Sequence, residues 1–399
     1  MDRQSLGMVS GLAPDTVSGW ALSMVSGLAP GMVSGLAPGM VSGLASSMVP
    51  GYGSCRIELR RGSAESLRPG VSLRGYGMST ENKNTIQPWH LPERPRVLMI
   101  GNGFNRTFNM KSWKNLIDSV RTRKDLDDGL LGRIPLTMQV VLATDDKVYD
   151  SMKEVAEYMR NFHLTPEHTA LLEKITEIPT ETILTSNYSY ELEKVLTGRC
   201  GYWARNPYRR YAVPYYSNNA VRFLHRYSHV PAAKGREALP GDPGYRNIWH
   251  IHGEVDQPRH IIMGHYFYGK MEYEIQTYLP YLERRVEGAR KAGGIFYPRS
   301  WVDYYLIGDL YIAGFGQDFS ESDIWYLACT KKRHFPAAKT YYYTPVSPSG
   351  RKDLRDEEKA MLEAYGIEVR ERPIADDSPD RYVRYYENVI AELRDIFRE

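Results

Sequence analysis

From Pro95 onward, short apolar runs alternate with longer amphipathic stretches. The runs at 97–100, 182–184, 248–251, 261–263, 310–313, 340–343 and 368–370 have the length and side-chain character of buried strands. The stretches between them carry the helical period. Ser112 is placed to cap a helix running through Val120, and Pro166 to open another over 166–175. The segment 147–162 sets Val148, Met152, Val155, Ala156 and Met159 on one face. Further helices are expected at 190–196, at 271–289 with Pro280 inside, and at 322–332, 353–365 and 380–397. The last aligns Tyr382, Tyr386, Val389, Ile390, Leu393 and Phe397 as a docking stripe.

This alternation predicts an α/β fold: a Rossmann-like, mainly parallel sheet with helices on both faces and a helical insertion over 111–180. Residues 202–246 break the pattern. They are rich in Tyr, Arg, Pro and Gly and read as a loop inserted before the strand at 248. Ahead of the domain (95–399) lie a polar linker over 78–94 and a repeat over 1–77. MVSGLA units begin at Met8, Met24, Met32 and Met40, too interrupted by glycine and proline for a stable element. The repeat reads either as a disordered tether or as sequence absent from the protein in the cell. The second is the expectation, with Met78 as the start.

Composition narrows the partners. A formal charge of +3 over 399 residues makes no case for nucleic acid or a membrane surface. No apolar run reaches the roughly 18 residues of a membrane span. The three cysteines, Cys55, Cys200 and Cys329, are far apart, which excludes a zinc ribbon and suits a reducing, cytoplasmic setting.

Four polar motifs each follow an apolar run. Gly101-Asn102-Gly103-Phe104-Asn105 closes the first strand; glycines there let the backbone approach a phosphate. Thr185-Ser186-Asn187-Tyr188 sets an asparagine at a strand end. It suits a water or a ribose hydroxyl, though alone it also reads as a helix cap. In His250-Ile251-His252-Gly253 the two histidines share a face for as long as the strand lasts. His252, beside a glycine, is the candidate general base, neutral near pH 7. Gly314-Phe315-Gly316-Gln317-Asp318 is a second strand–glycine–helix junction, suited to the other half of a dinucleotide.

The order GNGFN, TSNY, HIHG, GFGQD resembles the sirtuin-like domain family from about Arg96 to the end of the chain. The nearest likeness is to bacterial sirtuin-like NAD hydrolases of antiphage defence, which lack the zinc module. The resemblance implies that NAD binds as substrate with no metal. It places Gly101, Asn102 and Gly103 at the diphosphate turn, Asn187 beside the nicotinamide ribose, and His252 as base; Phe104 and Asn105 follow as cofactor-binding candidates, Phe104 reading as a nicotinamide contact or, more simply, as a core phenylalanine. Gly314, Gly316 and Asp318 fall on the adenosine side. Ser189 stands where the deacylases carry aspartate, and 105–108 do not reproduce their proline-aspartate-phenylalanine-arginine run. Both departures argue against deacylation and leave NAD hydrolysis, with a non-catalytic NAD or ADP-ribose sensor as the alternative. Any trigger would come from a homo-oligomer, the 202–246 segment, a partner protein or a phage component.

Overall fold

The computed structural model describes residues 89–91, 93–108, 112–197, 228–231, 245–348, 354–376 and 378–399. The repeat over 1–77, the linker up to residue 88 and most of 202–246 lie outside them.

Within the described residues, β1 (Trp89–His90) precedes β2 (Arg96–Ile100). Six helices follow before the next strand: α1 (Gly103–Arg106), α2 (Trp113–Val120), α3 (Asp128–Leu131), α4 (Leu136–Ala143), α5 (Val148–Arg160) and α6 (Pro166–Thr176). Then come β3 (Thr182–Thr185), α7 (Glu191–Thr197), β4 (Ser228–Pro231) and β5 (Tyr245–His250). The chain continues through α8 (His265–Lys291), β6 (Ile295–Phe296), α9 (Trp301–Ile307), β7 (Asp309–Ala313) and α10 (Ser322–His334). It closes with β8 (Thr340–Val346), α11 (Asp356–Ala364), β9 (Glu368–Pro373) and α12 (Arg381–Arg398).

The main sheet runs β4-β5-β3-β2-β7-β8-β9. Only β4 is antiparallel to its neighbour; the other six strands are parallel and flanked by helices. Taken in chain order, the parallel strands build outward from β2 through β3 to β5, then cross to β7, β8 and β9. This is the doubly wound, Rossmann-like arrangement, and its topological switch point lies between β2 and β7, where such sheets open a crevice beyond the strand carboxyl ends. Val97, Met99, Ile183, Leu184, Ile248, Leu310 and Ile312 are fully buried, as strands covered on both faces require. β1 and β6 form a separate antiparallel pair.

Local signals explain several element starts. Ser112 and Asn115 make a reciprocal capping box at α2, and Thr165 caps α6 ahead of Pro166. Helix α8 runs 27 residues and includes Pro280. Residues 261–263 differ from expectation: they are buried but form no strand. The Ile262 N–H donates to the His252 carbonyl at 2.7 Å and its carbonyl accepts from the Tyr188 hydroxyl at 2.8 Å, so this backbone braces the loops above the sheet. No helix among the described residues is long and apolar enough to cross a membrane.

Candidate functional site

The loops after β2 and β7 meet at the switch point. Gly101 N–H donates to Ala313 O at 3.2 Å, and Gly103 N–H to Gly314 O at 2.7 Å. Contact this close needs residues without a side chain: a Cβ on Gly103 would lie 2.7 Å from Gly314 Cα. Gly314 has φ +67°, and a Cβ there would lie 2.8 Å from the Phe104 ring. The Gly103 N–H, expected to face a phosphate, is therefore engaged by the neighbouring loop.

The neighbours of Gly103 also turn inward. Phe104 is buried, its ring 4.1 Å from that of Tyr386 on α12. Asn105 is buried in a polar knot. Its Nδ2 donates to Asn102 Oδ1 at 3.1 Å and to Glu191 Oε1 at 2.9 Å, and its Oδ1 pairs with His168 Nε2 at 3.0 Å. Burial lowers His168 to about 4, so it serves as a neutral donor. Phe104 and Asn105 thus shape the turn from beneath and line neither of the cavities above it.

Those cavities share a wall made of Asn102, Phe315, Gly316 and Gln317. One, of about 480 Å³, lies between the ends of β7 and β8 and helices α11 and α12; Tyr342, Tyr382 and Tyr386 are among its aromatic lining, and Arg106 reaches it. The other, of about 240 Å³, lies over β3 and β5. Asn187, Tyr188, His252, Tyr268, Asp318 and Glu321 line it, and Trp113, Leu116, Leu136 and Met159 from the helices inserted between β2 and β3 wall it. Asp318 thus borders the smaller cavity, away from the side assigned to adenosine. Its carboxylate accepts from Ser320 N–H at 2.9 Å and from Ser320 Oγ at 2.5 Å, shaping the turn into α10.

The TSNY and HIHG loops are laced together. Ile251 N–H donates to Thr185 O at 2.9 Å, and Val255 N–H to Tyr188 O at 2.9 Å. The histidines share no face, because β5 ends at His250 and His252 stands in a turn. His250 Nδ1 lies 2.6 Å from the Asn187 carbonyl and Nε2 lies 2.8 Å from Glu193 Oε1. Burial alone would lower its pKa, but the Glu193 charge and hydrogen bond, with Glu254 and the Asn187 carbonyl, lift it to about 9. His250 is thus an imidazolium donating from both nitrogens, and it fixes the backbone that presents Asn187.

His252 faces the other way. Its Nε2 is 3.2 Å from Asp323 Oδ2 and its Nδ1 is 4.0 Å from Glu321 Oε1, with Tyr268 edge-on to the ring at 5.3 Å. Asp323 is fully buried, and its Oδ1 has no partner among the described residues. Burial opposes charge on His252, yet Asp323 and then Glu321 outweigh it and raise the pKa. A base neutral near pH 7 was the expectation; the two carboxylates shift His252 toward the protonated form instead. Burial likewise raises Glu321 to about 7, against the pull of His252 and with further push from Asp323. A buried carboxylate holding one imidazole nitrogen orients the ring and leaves the other nitrogen to exchange protons with a ligand.

Sequence reasoning missed Gln317 and Glu321. Gln317 sits inside the GFGQD motif, where the glycines carry the stronger signal. The Ser189 hydroxyl donates to Glu191 Oε1, so a buried carboxylate lies two residues beyond it. No protein-family model and no curated protein sequence matches the chain.

Proposed function

We propose that this protein cleaves the nicotinamide–ribose bond of NAD, releasing nicotinamide and ADP-ribose. The observation that carries the reading is the join of two cavities at Asn102, Gly316 and Gln317, one aromatic-walled and one holding Asn187 and the His252–Asp323 pair. A dinucleotide has two halves joined by a diphosphate, and a two-part crevice at a switch point suits it. The larger cavity takes the adenosine, its tyrosines stacking on the base. The exposed Arg106 guanidinium, which makes no ion pair with a described residue, faces the diphosphate.

In the smaller cavity the bond from C1′ to the pyridinium nitrogen breaks through an oxocarbenium-like state. Nicotinamide leaves neutral, taking the bonding electron pair. Water adds to C1′, and its proton passes to the deprotonated nitrogen of His252. Asn187, whose side-chain amide makes no hydrogen bond to a described residue, orients the water or the 2′-hydroxyl. Asp323 holds the ring and stabilises the imidazolium that forms. The sirtuin-like resemblance supports the same chemistry and, with it, a role for NAD depletion in bacterial antiphage defence.

The raised pKa of His252 favours a second reading, a sensor that binds NAD without turnover. Incubating the purified protein with NAD and quantifying nicotinamide separates the two. Release that is lost in His252→Ala supports hydrolysis, and binding without release leaves the sensor.

A further inference from the structure

The wall between the two cavities holds a residue that neither the fold nor the bond-breaking step accounts for. Gln317 is 7% exposed, and both its Oε1 and its Nε2 are buried without a partner among the described residues. Leaving one such group unpaired is costly, and here a donor and an acceptor are unpaired together. Its backbone is also strained, with φ +45°, a left-handed conformation that a residue with a side chain seldom adopts. Strain and unmet hydrogen bonds at one lining residue mark a place that a ligand completes.

We propose that Gln317 reads the carboxamide of the nicotinamide ring, and that this contact selects amide-bearing over acid-bearing dinucleotides. The inference rests on the NAD reading above. A primary amide offers a donor and an acceptor side by side, and its matching partner is a group with the same pair reversed. A dinucleotide carries two such edges, the carboxamide and the N6/N7 edge of adenine. The adenine side is already furnished with rings such as Tyr342, Tyr382 and Tyr386, which hold a base by its face. The smaller cavity adds a charge argument. Asp318, Glu321 and His252 line it, with Asp323 behind His252, so acids outnumber the one base. A carboxylate on the pyridine ring would meet those acids and the Gln317 Oε1 lone pairs, whereas a neutral carboxamide pairs with both ends of the Gln317 amide.

The test uses the full-length protein, wild type, Gln317→Leu and Gln317→Glu, with thermal melting to confirm that each is folded. Release of the pyridine base is measured from NAD, from nicotinic acid adenine dinucleotide and from nicotinamide hypoxanthine dinucleotide. Wild type should favour NAD over the acid dinucleotide by about 100-fold or more in kcat/KM. Gln317→Leu should shrink that ratio to within about tenfold, chiefly by losing rate on NAD, while adenine and hypoxanthine remain discriminated as in wild type. An unchanged NAD-to-acid ratio, or a change confined to the adenine comparison, overturns the inference and leaves NAD cleavage standing. Titration calorimetry of NAD and the acid dinucleotide reads the same ratio without turnover. Absent release from all three compounds refutes hydrolysis alone, and equal binding of the two by wild type refutes the carboxamide contact.

Discussion

Two glycines of one motif should answer differently to substitution. Gly314 has φ +67°, and an added Cβ would lie 2.8 Å and 3.0 Å from two carbons of the Phe104 ring. That ring cannot swing aside freely, because it is buried against Tyr386 at a centroid distance of 4.1 Å. Gly314→Ala therefore combines a left-handed backbone penalty of about 1–2 kcal/mol with overpacking of about 1–3 kcal/mol. A loss of about 2–5 kcal/mol is expected, or a fall in Tm of about 4–10 °C for a domain of this size. Gly316 has open space where its Cβ would be and borders both cavities. Gly316→Val should change stability by no more than about 0.5 kcal/mol while weakening NAD binding about tenfold or more. Urea denaturation and calorimetric titration of the two variants read the contrast. Equal stability of Gly314→Ala and wild type would refute the packing argument, and undiminished NAD affinity of Gly316→Val would refute the position of the cleft.

Three further outcomes follow from the site. Asp323→Asn removes the charge that raises His252, so the acid limb of the pH–rate profile should move to lower pH, with kcat down about 100-fold or more; an unmoved limb would refute the pairing. Arg106→Ala should weaken NAD binding and flatten its salt dependence, checked by titration at two ionic strengths, while Tm stays at the wild-type value. His250 has a folded pKa of about 9, above its ordinary 6.5, so its contribution to stability is fully present below pH 6.5 and is lost as pH rises through 9. Denaturation midpoints across that window should fall, and His250→Gln should lessen the fall.

The parallel sheet was legible because buried strands write short apolar runs into a sequence, and β2, β3, β7, β8 and β9 each stand where such a run lies. Residues 261–263 show the limit of that signal. A run of three buried apolar residues is the same whether its backbone joins a ladder or, as here, braces His252 and Tyr188. Helix α9 leaves no periodic signal for a related reason: all seven of its residues are buried, so no polar face gives it a period. At the site, the glycine turns and the placement of Asn187 and His252 just beyond the ends of strands were readable, although the shared face expected of His250 and His252 was not kept. The His252–Asp323 pair was not, since its members lie 71 positions apart and the fold alone brings them together. The core position of Phe104 agrees with its reading as a core phenylalanine, but the inward turn of Asn105 was equally hidden, because it depends on His168 and Glu191.

The proposed function assigns cleavage of the N-glycosidic bond of NAD to the cavity holding Asn187 and His252. Chromatographic quantification of nicotinamide and ADP-ribose tests it most directly, with wild type, Asn187→Ala and His252→Ala incubated with NAD at equal concentration. Equimolar nicotinamide and ADP-ribose are expected from wild type, and neither from the two variants. Undiminished release by His252→Ala, or no release by wild type that binds NAD, would contradict the assignment.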